Sequence, residues 1–366
     1  MRTKSISIFI TAVVVSLPLG AQDSVKVASA AVGKGHAQDS TKKTPSPPAL
    51  FRSEQPLEVT FTTNIGKIRG DKRADPPWRP ATLSYKGDDG SAVTVPLEAR
   101  TRGIWRLKMC DFPPLRLNFK SETTKGTIFH KLDKPKLVSY CQDTDTYEQY
   151  VLQEYQLYRI YGLLTPMSHR VRLLKFNYAD SGSGKIRAKR YAFIMEEANA
   201  LGERLHGKVL EQKGAVPSDL DPFQDALFGV FQYFIGNTDF SVNQLHNVEL
   251  FFADAGTISP VAYDFDFSGV INARYATPDP SLNIQNVRQR LFRGYCTDPA
   301  EYEKVFALFN EKKSAIYALY SDSVGKLIDH GAVTSTLRYF DDFYKTINDR
   351  RAAKRAILEP CLGRGY

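Results

Sequence analysis

The sequence predicts an α+β chain of two lobes, β-rich first and α-rich second, on three observations. Residues 57–120 alternate apolar and polar side chains at period two in "LEVTFTTNI", "ATLSY", "AVTVPLEAR" and "LRLNF", with turn clusters at "KGDDG" (86–90) and "DFPP" (111–114). That pattern belongs to an antiparallel sheet with one wet face. From about Pro222 the period turns helical: "PFQDALFGVFQYFIGN" is apolar on every face, as a buried helix is, and two further helical stretches, 300–320 and 334–358, close the chain. One long helix, roughly Thr144 to Tyr161, interrupts the β-rich part. The expected division is 1–21 as a signal peptide, 22–50 as a disordered linker, 51–197 as the β-rich lobe with its helix, and 198–366 as the α-rich lobe.

The first segment follows from charge and hydropathy. Arg2 and Lys4 precede an apolar run from Ile6 to Leu19, and small residues Gly20 and Ala21 lead into Gln22-Asp23-Ser24, the order of a secretory signal peptide. Cleavage is expected after Ala21, or else after Ala30. The run is about 14 residues, short of the roughly 20 that span a bilayer. Residues 22 to about 48 are small, polar and Pro-containing with little to bury, which predicts a tether without fixed structure. No later segment is apolar enough to span, so the expected destination is the cell envelope or the medium.

Within the β-rich part, "KLVSY" (136–140) adds a short strand directly before the long helix, for which Asp143, Thr144 or Asp145 offers an N-cap and Gly162 a stop. Tyr147, Tyr150, Val151, Glu154, Leu157, Tyr158 and Tyr161 recur at helical spacing, which puts Glu154 on or beside the inward face. A hairpin follows, "HRVRLLKFNY" and "KIRAKRYAFIMEE", around the turn "ADSGSG". Its "GSGK" is not a phosphate loop, because strands flank it on both sides where a helix should follow.

The formal charge is +9, about +7 once Arg2 and Lys4 leave, and it is spread along the chain without a Lys/Arg run. This favours an anionic ligand only weakly and gives nucleic acid no localised patch. Cys110, Cys141, Cys296 and Cys361 lack CxxC spacing, which argues against zinc. An even count in an exported chain predicts disulfides. Pairing nearest neighbours, Cys110 with Cys141 and Cys296 with Cys361, would staple each half separately; the sequence leaves the connectivity open.

The chemistry-bearing stretch is "IGNTDFSVNQLHNVELFFADAGTISPVAYDFDF" (235–267), where short polar side chains punctuate buried helix and strand patterns. Asn237 and Asp239 can serve as turn formers. In phosphotransferases of the protein-kinase type, a loop after a buried helix supplies an aspartate that orients the acceptor hydroxyl. An asparagine and a second aspartate, separated by a strand pair, then hold magnesium. Asp239, Asn243 or Asn247, the strands "VELFF" and "ISPVAY", and Asp264 occur in that order. Magnesium takes hard oxygen ligands and leaves places for phosphate, so one amide and one carboxylate suffice. Asp264 and Asp266 share one face by alternation, and two neighbouring carboxylates repel unless a cation or donor joins them. Asp266 is thus either a second ligand or a binder of backbone amides. His206 and His246 read as loop histidines.

The chain resembles the CotH-type spore-coat kinases and, more loosely, the wider set of atypical, HipA-type kinases. The resemblance lies in "RTRGIWRLKMCDFPPLRLNF", "YGLLTPMSHRVRLLKFN", "RYAFIMEE", "GNTDFSVNQLHNVEL" and "YDFDFSG", in that order over roughly residues 57–275. It implies a two-lobed, protein-kinase-like fold with ATP or another nucleotide and magnesium in a cleft. By the same resemblance Asp239 is the catalytic aspartate, Asn247 and Asp264 are metal ligands with Asp266 beside them, and Arg116, Lys136, Glu154 and Glu197 are nucleotide-binding positions. Glu154 would then pair with Lys136 or Arg116, or else serve as an ordinary partner for a nearby arginine. No Gly-rich phosphate loop is present, the catalytic loop is longer than usual, and arginine stands where a phosphate-binding lysine is wanted, which is a different tool. The expected activity is phosphoryl transfer to a protein or small hydroxyl acceptor. A pseudokinase acting as a scaffold, and a metal-dependent hydrolase built on Asp264 and Asp266, are the other readings.

Overall fold

The computed structural model describes residues 47–103, 105–253 and 256–363, so the predicted signal peptide and nearly all of the predicted linker lie outside the described residues. Strands form where the alternation placed them. β1 (Leu57–Thr63), β2 (Arg79–Lys86), β3 (Ala92–Thr101), β4 (Leu115–Phe119) and β5 (Lys136–Val138) follow one another, and β6 (Val171–Asp180) and β7 (Ile186–Met195) make the later hairpin.

These seven strands do not make one lobe of a two-lobed, kinase-like molecule. They run in the order β1-β2-β3-β4-β5-β7-β6 and close into a barrel, because β6 returns to pair in parallel with β1, Val59 opposite Phe176 and Phe61 opposite Tyr178. Closure removes both exposed edges of the sheet. It also gives the barrel its own core, in which Val59, Phe61, Leu83, Leu117, Phe129, Phe176 and Ile194 are buried. The Phe61 and Phe176 rings meet at 5.5 Å across the closing seam.

Part of the outer face of the barrel, on β6 and β7, is buried as well. Leu173, Phe193 and Met195 point away from the interior and join a larger core built by α4 (Asp145–Leu164) and later helices. α1 (Ile65–Gly70), α2 (Trp105–Met109), α3 (Ser121–Thr124) and α5 (Ala198–Arg204) are short, whereas α6 (Pro222–Ile235), α7 (Pro299–Ala318) and α8 (His330–Ile347) are long and α9 (Arg350–Ala353) follows. Nine α-helices are thus present among the described residues. A second sheet of three strands, β8 (Gly207–Leu210), β9 (Val248–Ala253) and β10 (Ile258–Ala262), is ordered β10-β9-β8.

α4 corrects one local expectation, where it stops, and decides another, which of the three candidates caps it. It runs through Gly162 to Leu164, and Thr165 is extended at φ −153° and ψ 142°. The stop is Pro166, whose ring disfavours helical geometry at the residue before it. Thr144 is the N-cap, while Asp143 and Asp145 both reach Arg190 on β7 at 2.7 Å.

Both disulfides form between nearest neighbours, Cys110 with Cys141 and Cys296 with Cys361. The first ties the end of α2 to the chain just after β5, where the Asp111 amide also donates to the Cys141 carbonyl at 2.8 Å. Two disulfides fit an oxidising compartment. Among the described residues no helix is long and apolar enough to cross a membrane.

α6 ends at Gly236, which adopts φ 67° and ψ 35°. A Cβ there would lie 2.0 Å from the Tyr339 hydroxyl. Replacing Gly236 with alanine therefore incurs left-handed strain of about 1–2 kcal/mol and displaces Tyr339 as well. The expected outcome is a lower urea midpoint with an unchanged slope.

Candidate functional site

The site grows from that helix end. Arg290 closes α6 by donating to the carbonyls of Tyr233 at 3.1 Å and Phe234 at 3.2 Å, the favourable place for a cation at a helix C-terminus. Past Gly236, the buried Asn237 side chain bridges Gln232 at 3.0 Å and accepts from the Asp239 amide at 3.0 Å. This is an Asx turn, and it fixes where Asp239 points. Arg293 holds the same loop by donating to the Thr238 and Phe240 carbonyls.

Asp239 and Asn247 meet directly. Asn247 Nδ2 donates to the Asp239 carbonyl at 2.8 Å and to its Oδ2 at 3.0 Å, while His246 Nε2 lies 2.9 Å from Oδ1. With its amide nitrogen committed, Asn247 has its Oδ1 left to accept or ligate. A cavity of about 650 Å³ opens beside Asp239 and His246, with Phe267, Lys213 and Arg293 in its wall.

The β9–β10 hairpin brings the second aspartate to this place. Val248 pairs with Ala262, and one step on the Tyr263 amide donates to the Asn247 carbonyl at 3.2 Å, so Asp264 stands next to the base of the hairpin. Asn247 and Asp264 are both left-handed, with φ 54° and 62°. Such geometry is tolerated best by Asn and Asp, and off Gly it concentrates at functional positions.

Behind Asp264 lies a buried ionic cluster. Arg106 of α2 pairs with Asp266 and lies 3.5 Å from Asp264, and the buried Glu154 of α4 accepts from the Phe265 amide at 3.4 Å. Burial, with Asp266 and Asp264 nearby, pushes Glu154 well above its ordinary value, against the pull of Arg106. Asp266 is pushed up to about 6 by burial and by Asp264, against the pull of Arg106. For Asp264 burial also works against charge, yet Arg106, Arg102 and Lys136 outweigh it and keep the carboxyl below its usual range. Its side chain remains 33% exposed, against 6% for Asp266. The ionised, accessible carboxylate is therefore Asp264, and Asp266 is engaged by Arg106.

Lys136 approaches from the barrel. Its Nζ sits 3.9 Å from the centroid of the Tyr263 ring and 3.8 Å from Glu249 Oε1. Burial lowers it to about 8 even though Glu249 pulls the other way. Glu249 in turn faces the fully buried His169 at 3.1 Å, whose other ring nitrogen meets the Glu196 carbonyl at 2.9 Å. Lys136 thus pairs with Glu249 on β9 and not with Glu154, which belongs to the Arg106 cluster. Arg116 stands opposite Lys136 in the β4–β5 register. Both line a cavity of about 330 Å³ with Glu197, whose carboxylate accepts from the amides of Asp133 at 3.0 Å and Lys134 at 2.7 Å.

Asp239 and Asn247 are therefore in direct contact, Asn247 pairs through its backbone with Tyr263 at the hairpin base, and Asp264 follows Tyr263 while Lys136 covers its ring. Arg116 and Glu197 lie in the adjoining cavity, and Glu154 and Asp266 lie beneath. Sequence reasoning missed Arg102, Arg106, His169 and Glu249. Arg102 and Arg106 sit inside the quoted "RTRGIWRLKMC", and a lone acid in the apolar "VELFF" was the signal for Glu249.

The chain was compared with protein-family models and with curated proteins, and it matches none.

A divalent cation fits this donor set only with help. Among the described residues no group of three or more His, Cys, Asp or Glu side chains could hold a metal ion. One partly exposed carboxylate, Asp264, and one uncommitted amide oxygen, on Asn247, are of the types that magnesium takes when phosphate oxygens and water fill the other places.

Proposed function

We propose that this chain is an exported phosphotransferase that binds a nucleotide as its magnesium complex and passes a phosphoryl group to a hydroxyl acceptor. The observation that supports the reading is the direct contact of Asp239 with Asn247 at the base of a β-hairpin whose next residues are Tyr263, covered by a buried lysine, and Asp264. The order of motifs resembling the CotH-type kinases adds to it, and the reading does not need a kinase-like fold.

Each residue has a separable role. Lys136, cationic below about pH 8, offsets phosphate charge from a wall that Glu249 and Tyr263 hold in place. Asn247 Oδ1 and Asp264 would hold the metal, which when bound neutralises charge on the phosphates. Asp239, fixed through Asn237 and Asn247, orients the acceptor hydroxyl from the cavity it shares with His246. The acceptor oxygen forms a bond to the terminal phosphorus as the bridging P–O bond breaks, and the hydroxyl proton passes to Asp239.

The Arg106 pairings favour a second reading, a binding module without turnover, because Arg106 already neutralises part of the carboxylate cluster. Calorimetry with magnesium-ATP and transfer of label from the γ-phosphate separate the two. A phosphotransferase gives heat and labelled acceptor, and Asp239→Asn keeps the heat while lowering transfer by about 10²-fold or more. A binding module gives heat without label, and the absence of both removes nucleotide binding altogether.

A further inference from the structure

We propose that Tyr158 on α4 is a positioning residue: its hydroxyl accepts a hydrogen bond from the Asp264 amide at 2.9 Å and holds Asp264 in the left-handed conformation that sets the direction of its carboxylate. The inference rests on the reading of Asp264 as a carboxylate that would hold magnesium, and it names what keeps that carboxylate in place.

The chain leaves the second sheet at this point. β10 ends at Ala262, and the Tyr263 amide still reaches back across the hairpin to the Asn247 carbonyl. At Asp264 the backbone turns to φ 62°, and its amide donates to a side chain on α4 instead. Left-handed backbone is strained for residues other than glycine and persists where the surroundings overdetermine it. An amide turned into the protein also needs an acceptor. The Tyr158 hydroxyl meets that need only while Asp264 keeps this turn, so one hydrogen bond ties the conformation of the aspartate to the helix.

The hydroxyl is itself held still. Tyr158 is buried, and its ring packs against Phe193 of β7 at 5.5 Å between centroids and against Phe265 at 4.6 Å. The barrel wall lies on one side of it and the residue after Asp264 on the other. One turn earlier on α4, Glu154 accepts from the Phe265 amide at 3.4 Å, and one turn earlier again the Tyr150 hydroxyl accepts from the Arg274 amide at 3.2 Å. Steps of four residues put these three acceptors along one face of the helix. α4 therefore grips the backbone that follows β10, and Tyr158 is the member of this row that touches Asp264.

Calorimetry of ATP binding at a series of magnesium concentrations tests this on the mature chain. Tyr158→Phe keeps the ring and deletes only the acceptor. It is expected to raise the magnesium needed for half-maximal binding by about 10–100-fold, the usual scale for losing a group that orients a metal ligand. In the Asp264→Asn background the same change is expected to raise it no further, because a residue that acts through Asp264 then has nothing left to position, whereas a merely structural role adds its effect in both backgrounds. Amide exchange followed by mass on peptides covering residues 262–268 reads the hydrogen bond without ligand. The Asp264 amide is expected to be protected in the parent and to exchange faster in Tyr158→Phe. An unprotected amide in the parent sinks the proposal before any variant is made. A parent that binds magnesium-ATP beside a Tyr158→Phe variant of unchanged magnesium demand, or a full second loss on top of Asp264→Asn, overturns the positioning role and leaves the phosphotransferase reading standing. A parent with no magnesium-dependent heat removes that reading, and this role goes with it.

Discussion

Asp264→Asn is expected to lower phosphoryl transfer about 10²–10³-fold, the scale of losing one source of transition-state charge stabilisation, because the magnesium that Asp264 would hold is what neutralises the phosphates, while the chain stays folded. The physical basis is the contrast between two aspartates two residues apart. Asp266 is buried beneath Arg106, and Asp264 keeps a third of its side chain in solvent, with its charge secured by Arg106, Arg102 and Lys136. An amide at 264 preserves shape and the left-handed backbone, which Asn tolerates, and deletes only the charge. Removing that charge also lets Asp266, now raised to about 6 partly by Asp264, fall toward its ordinary range, so Arg106 keeps a fully ionised partner. Alanine at 264 is a harsher change, since it forfeits the side chain as well. Circular dichroism melts run beside the γ-label assay distinguish the cases. If Asp264→Asn melts like the parent and transfers at the parental rate, the carboxylate has no part in the chemistry.

The sequence made the strands, the long helices and the nearest-neighbour disulfides legible because each has a local signature: period-two alternation, helical spacing or a cysteine count. The barrel closure had none. β1 and β6 are remote in the chain and pair in parallel, and nothing within "LEVTFTT" or "VRLLKFNYAD" says which other strand it will meet. The short β8 went unseen because "GKVL" is four residues long with no repeat to read. The candidate site shows the same division. Asp239, Asn247 and Asp264 were visible as short polar residues among buried ones, and the hairpin that joins them was visible in its strands. The partner of Lys136 was not: a glutamate on β9 fills a place expected of the helix residue Glu154, because barrel closure and the second sheet together decide which acid faces β5. Arg106 escaped notice because its value lies in a tertiary charge balance with Asp264, Asp266 and Glu154, none of which is near it in sequence.

Lys136→Met is expected to weaken magnesium-ATP binding by about 10–100-fold, the loss of one charge-assisted contact worth about 1.5–3 kcal/mol, and pH reports the same charge without mutation. Lys136 titrates near 8 in the folded chain and near 10.5 when exposed, because burial outweighs the attraction of Glu249. Affinity for the nucleotide should therefore fall as pH rises through about 8, when the ammonium loses its proton. Stability should move the other way. Between about 8 and 10.5 the unfolded chain holds a proton that the folded chain has released, so stability rises with pH across that window, by up to about 3 kcal/mol. Below pH 8 both forms carry the charge, and the folded one bears the full penalty of burying it. Lys136→Met abolishes that slope, and Lys136→Arg, charged throughout, keeps nucleotide affinity flat through pH 8. Urea titrations at several pH values and calorimetry at the same points measure the two trends together. A wild-type affinity that holds constant from pH 7 to 9.5 while the stability slope is present would mean that Lys136 titrates as described but that no phosphate rests against it.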